Sequence, residues 1–237
     1  MAEIFWRKLS RFVCAAGLAV FAAMPGAALD DDPAIDWEGS LSVVSDFRDR
    51  GVSITDKDFA LVGSLGAYHK SGFYAGLLAL NVDDRNDRDF KGDFYVGYQK
   101  ESGAYLWDFA VEIDSMIGGI DDKVFPEFQA SVARDYGLAY VRLGTGYAPE
   151  GRWISPDGRD AVYSYLDAEF PIPNMPAFTI LTHLGYDIRS QQSNLYDWSV
   201  GVSAFVNDYE FTISYDDSTS NDPLASGAIV FGFRRYF

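Results

Sequence analysis

The stretch Ser40–Asp56, SLSVVSDFRDRGVSITD, decides the fold. Its first part alternates. Leu41, Val43, Ser45 and Phe47 fall on one face of an extended strand, while Ser42, Val44, Asp46, Arg48 and Arg50 fall on the other. A side-chain period of two allows that split and a helix does not. One face is apolar; the other is a ladder of carboxylate and guanidinium groups. A half-buried strand with its polar face in bulk water reads this way. So does a strand of a membrane barrel, with lipid outside and water inside.

The rest of the chain separates the two. Alternating segments predict strands near 37–48, 58–69, 73–82, 92–100, 104–114, 125–135, 138–148, 161–172, 176–188, 196–206, 209–216 and 227–237. Each is near ten residues, the length a tilted strand needs to cross an apolar band about 25 Å tall. The connections alternate in length. Ser71-Gly72, Glu101–Gly103, Tyr136-Gly137, Pro173–Met175 and Asn207-Asp208 are short; 49–57, 83–91, 115–124, 149–160, 189–195 and 217–226 are long and polar. Outer-membrane barrels place short turns in the periplasm and long loops outside. A soluble sandwich has no reason for that alternation. The expected fold is therefore all-β: a transmembrane antiparallel up-and-down barrel of about twelve strands over 29–237, with both termini in the periplasm.

The strand faces agree. Lipid-facing candidates include Phe59, Leu61, Leu65, Phe73, Phe94, Trp107, Phe109, Ile180, Leu184 and Val200, with Trp37, Phe128, Trp198 and Tyr209 as aromatic girdle candidates. The outward charges Lys100, Arg134 and Arg235, with His69, sit at strand ends beside short turns, where they reach headgroups at little cost.

SDFRDRGVSITD and the strand that follows it resemble the proteobacterial TorF-type outer-membrane porins. The resemblance rests on Ser45, Asp46, Phe47, Arg48, Arg50, Gly51, Val52, Ser53 and Thr55, then Ser71, Gly72, Phe73, Tyr74 and Gly76. It covers about the first quarter of the chain beyond residue 28. It implies an outer-membrane barrel with a porin role. The last strand, ending on Phe237 with Phe233, Phe231 and Ile229 in phase, resembles the signal read by the barrel-assembly machinery; Arg235 interrupts its apolar series.

The N-terminus reads as a secretory signal. Arg7, Lys8 and Arg11 precede the apolar run Phe12–Ala23, which is too short to span a bilayer, and Pro25–Ala28 supplies small residues for cleavage after Ala28. Cleavage would discard Cys14, the single cysteine, and change the formal net charge from −16 to −18. That charge argues against nucleic acid as a partner, and no long apolar run follows the signal, which excludes a helical membrane protein.

Inward-facing ionisable groups are numerous. The acids are Asp46, Asp108, Glu112, Glu127, Asp167, Glu169, Asp187 and Glu210; the bases are Arg48, Arg50, Arg142 and Arg234; Tyr165 and His183 accompany them, with Tyr95, Tyr140 and Tyr163. They describe either a wet lumen with a charged constriction or a plug of salt bridges and tyrosines. Eight strands give a packed interior and sixteen an open channel, so twelve leaves both open. With only His69 and His183 present, no nucleophile and base pair is evident, and no enzyme is expected. The loop Asp83–Asp89 lacks the Gly and closing Glu of an EF-hand; no cofactor or metal is expected. The expected function is passive passage of small hydrophilic solutes with a cation preference. The alternative is a non-conducting barrel that is structural or binds ligands. Expected partners are outer-membrane lipid and lipopolysaccharide, the assembly machinery and small solutes.

Overall fold

The computed structural model describes residues 34–83, 88–119, 123–152, 160–190 and 193–237. The secretory signal expected over 1–28 lies outside the described residues. Twelve antiparallel strands close into a barrel: β1 (Ile35–Val44), β4 (Ala60–His69), β5 (Phe73–Asn81), β6 (Phe90–Ser102), β7 (Tyr105–Ile117), β8 (Lys123–Asp135), β9 (Tyr140–Ala148), β10 (Ala161–Pro171), β11 (Phe178–Arg189), β12 (Leu195–Val206), β13 (Tyr209–Ser218) and β14 (Ala228–Tyr236). Each strand pairs with its sequence neighbour, and β14 returns to β1 in the register Ser40↔Tyr236 to Val44↔Gly232. Closure satisfies the backbone groups that an open edge would leave unpaired. Phe237 finishes the seam: its amide donates to the Gly39 carbonyl at 3.0 Å, and the Gly39 amide donates back at 2.9 Å.

Alternation sorts the side chains as the period of two requires. Phe59, Leu61, Phe73, Phe94, Trp107, Phe109, Leu184 and Trp198 are exposed on the outside. A continuous apolar belt of this size suits lipid and not water. Aromatic pairs cluster in it, with Tyr186 and Tyr196 stacked 4.4 Å apart and Trp198 tilted against Tyr215 at 5.3 Å.

Three features differ from the sequence reading. The first strand ends at Val44, not at 48. The chain from Ser45 then turns into the barrel instead of forming an outer loop. There it makes a two-residue hairpin, β2 (Arg48–Asp49) with β3 (Val52–Ser53). Its turn residues Arg50 and Gly51 have φ of 50° and 76°, the left-handed pair that suits a tight hairpin and needs a small residue. Second, Phe47 therefore does not face lipid, whereas Ser45 still bonds Phe231 of β14. Phe47 packs with Val52 and Ile54 on Val62, Leu80, Met116 and Phe125, an apolar core inside the barrel. Burying these groups offsets the entropy of ordering the segment. Third, β7, β8, β11 and β12 extend into their connections. Only 118–122 and 190–194 remain between them, shorter than the turn 172–177. The long–short alternation is thus weaker than the sequence implied.

Candidate functional site

The interior is built from one face of each strand, the inserted segment 45–56 and Arg152 just after β9. Arg50, at the tip of the inserted hairpin, donates to Glu127 Oε2 at 2.6 Å. Arg152, from the connection after β9, donates to the same oxygen at 2.9 Å. Arg152 also reaches Asp49 at 2.9 Å and Asp114 at 3.4 Å. Lys91 sits between Asp93 at 2.5 Å and Asp114 at 3.1 Å. Gln129 donates to both Glu112 and Glu127 at 3.0 Å. The Arg50 guanidinium lies 3.9 Å from the centre of the Tyr163 ring. Burial works against the Arg152 charge, but the carboxylates of Asp49, Glu127 and Asp114 more than offset it and hold the group charged.

A second set of bonds fastens the inserted segment. Asp46 accepts from Ser53 at 2.6 Å and from Thr55 at 3.4 Å. Arg48 donates to the carbonyls of Leu224 at 2.9 Å and Ser226 at 2.8 Å, around the 3-10 turn Pro223–Ala225. On the far wall His183 lies between Asp167 at 2.6 Å and Asp197 at 2.9 Å, and the Tyr163 hydroxyl donates to Asp197 at 2.9 Å. Glu210 accepts from Ser203 at 2.8 Å and Tyr236 at 2.6 Å, with Arg234 at 3.7 Å.

Toward the short turns, Asp108 accepts from Tyr74 at 2.7 Å and Gln99 at 2.6 Å. These groups, with Tyr68, Ser131, Arg142 and Tyr165, line a cavity of about 20 Å³, room for about one water. The other inward carboxylates and bases are nearly all buried. In this state the barrel is filled.

The residues singled out in the sequence thus fall into separate groups. Arg50, Glu112 and Glu127 belong to one network. Asp46 and Arg48 fasten the inserted segment. Asp108, Arg142 and Tyr165 meet at the cavity. Asp167 pairs with His183, and Glu210 with Arg234. Asp187 is buried 4.0 Å from Arg189, and Glu169 is buried without an ion pair among the described residues. Sequence reasoning did not single out Asp49, Lys91, Asp93, Asp114, Arg152 or Asp197. Lys91 and Asp93 share the parity of Tyr95, and Asp114 that of Glu112, so extending the same alternation finds them. Arg152 lies in a connection with no such signal. The Asp93, Glu112 and Asp114 oxygens lie within 4.8 Å of one another, a spacing that suits a cation; the Lys91 ammonium already supplies one.

A closed twelve-stranded barrel with an apolar outside and a charged inside is the architecture of a membrane β-barrel. Comparison with known proteins gives its family. A family described as a bacterial protein of unknown function (Gcw_chp) matches residues 30–232, and the chain belongs to it. No curated protein matches significantly. Among solved structures, the NanC porin superposes with a TM-score of 0.56 at 9% identity, covering 84% of this chain and 97% of its own. The KdgM porin, solved in complex with disordered oligogalacturonate, gives 0.50 at 8% identity, covering 84% and 95%. A protein from work on in-meso crystallization of membrane proteins gives 0.55 at 15% identity, covering 84% and 83%. At these identities the likeness is one of fold.

Proposed function

We propose that the protein is a porin of the Gram-negative outer membrane, that it passes small hydrophilic solutes by passive diffusion, and that the segment 45–56 is the movable closure of its outward mouth. It carries out no chemistry of its own. The observation that carries this reading is the polarity of the interior. Among the described residues, twelve buried carboxylates and six buried bases occupy an interior that apolar side chains would fill more cheaply. A polar lining serves a barrel that is wet for part of its working cycle. The porin-like fold and the resemblance of Ser45–Thr55 to TorF-type porins support the same reading. A second reading, a non-conducting barrel, is favoured by one observation: the interior as it stands is filled by paired charges. Conductance separates the two. A pore that opens only when 45–56 moves shows discrete steps, whereas a structural barrel shows none.

The buried acids outnumber the buried bases two to one among the described residues. Low-dielectric walls concentrate that excess, so the open pore prefers cations. Reversal potential under a KCl gradient measures it. Asp167→Asn with Glu169→Gln is expected to move the potential toward that of chloride, and added salt to shrink the preference as the screening length falls below about 8 Å. An anion preference in the unaltered protein would sink the charge argument.

Orientation is tested on intact cells. With long connections outward, next to anionic lipopolysaccharide, added protease should cut at 83–91, 149–160 or 217–226 and spare the short turns. Cuts confined to 103–104 or 207–208 would invert the barrel. Phe237 at the β1–β14 seam is the residue proposed to engage the assembly machinery.

A further inference from the structure

Asp93 on β6 and Asp114 on β7 stand directly opposite each other in the register, both buried in the interior. Two residues away on β7, and on the same face, Glu112 stands opposite Glu127 on β8. Like charges facing each other across a ladder destabilise it, so two such pairs side by side need positive charge between them. Arg50, Lys91 and Arg152 supply it in part. The same contacts bring in Asp49 through Arg152. Five carboxylates thus meet three bases, and two negative charges stay unmatched in this network among the described residues.

The unmatched charge has a place. Glu112 and Asp114 are each 1% exposed. Gln129 donates to Glu112 Oε2, and Lys91 and Arg152 both lie against Asp114 Oδ2. The other oxygen of each, Glu112 Oε1 and Asp114 Oδ1, is buried with no hydrogen-bond partner. A carboxylate oxygen taken out of water and left bare is costly unless something positive sits against it.

The spacing selects the ion. Carboxylate oxygens of Asp93, Glu112 and Asp114 lie within 4.8 Å of one another. Calcium holds its oxygen ligands at about 2.3–2.6 Å, so two of them stand at most about 5 Å apart. An all-carboxylate set suits a hard cation, and calcium gives up its waters more readily than magnesium does. The Lys91 ammonium does not complete the group. It bridges Asp93 and Asp114, brings a single charge and leaves Glu112 Oε1 bare.

We propose that Asp93, Glu112 and Asp114 form a binding site for one calcium ion on the inner wall of the barrel. Glu112 Oε1 and Asp114 Oδ1 are its first ligands, and the Asp93 carboxylate is the third. Lys91 shares two of the three carboxylates and is the internal competitor of the ion. The site stands apart from the channel reading, because the ion binds whether or not the barrel conducts.

The test is calorimetric titration of calcium chloride into the refolded full chain in micelles, stripped beforehand with EDTA. One ion per chain is expected, with magnesium binding roughly tenfold more weakly. Glu112→Gln removes one ligand and one charge and should weaken calcium binding by roughly tenfold or more. Lys91→Met removes the competitor and should tighten it roughly tenfold. Asp58→Asn, at an exposed acid outside the site, should leave it unchanged. No saturable calcium binding by the unaltered protein overturns the proposal, whatever the variants do. Calcium binding of unchanged affinity in both Glu112→Gln and Asp114→Asn, in barrels still shifting between boiled and unboiled gel lanes, also overturns it and moves the ion to other acids.

Discussion

Liposomes carrying a variant in which a short Gly-Ser linker replaces Asp46–Thr55 are expected to swell several-fold faster in a small neutral sugar than liposomes carrying the unaltered protein. The segment removed fills the interior with Phe47, Val52 and Ile54 on one side and Asp49 and Arg50 on the other. None of the twelve strand pairings depends on it. The closed wall should therefore persist, because every barrel strand keeps both partners and no edge is created. The deletion does expose Met116, Phe125 and Leu80 to the lumen. Losing that apolar contact lowers stability by about 25 cal/mol for each Å² returned to water. A heat-modifiable, folded variant with an unchanged swelling rate would mean that the interior is blocked below the segment as well.

Glu127→Ala has the largest expected effect of any single substitution. One carboxylate oxygen receives both Arg50 and Arg152, and the other receives Gln129. Its removal leaves two buried guanidinium groups competing for Asp49 and Asp114. Breaking a buried pair from one side costs about 3–5 kcal/mol in general. The charge left behind lies in the inserted hairpin and the connection after β9, so the loss should appear first as loosening of those elements. A lower urea midpoint in lipid vesicles, together with more frequent channel opening, is the expected result. Glu127→Gln keeps the shape and part of the hydrogen bonding and should cost less. A midpoint unchanged by Glu127→Ala would mean that the two arginines find full compensation elsewhere.

The barrel itself was legible in the sequence because strand pairing leaves a period that survives to the surface. Phe94 and Val96 outside, Asp93 and Tyr95 inside, is the same information as the observed burial. The inserted segment was not legible in the same way. Asp46, Arg48 and Arg50 sit in phase with Ser42 and Val44, so simple alternation put them inside for the wrong reason. They are inside because the chain leaves the wall after Val44 and folds across the lumen. Two local features mark that departure. Arg50-Gly51 is a tight-hairpin pair, and Val52 and Ile54 are apolar residues in a stretch that would otherwise be a polar loop. Ion-pair partners from connections, such as Arg152 to Asp49, join residues far apart in sequence and leave no periodic trace. The sorting of interior charges into separate networks likewise depends on side-chain reach, which a strand pattern does not encode.

The most direct test of a diffusive role is single-channel recording of the refolded, unaltered chain in a planar bilayer at 1 M KCl. Discrete open and closed steps of reproducible size are expected, with long closed periods set by the inserted segment 45–56. Heat-modifiable, fully inserted barrels that never conduct, and that stay silent when 46–55 is removed, would contradict a porin function and leave a structural or ligand-binding barrel in its place.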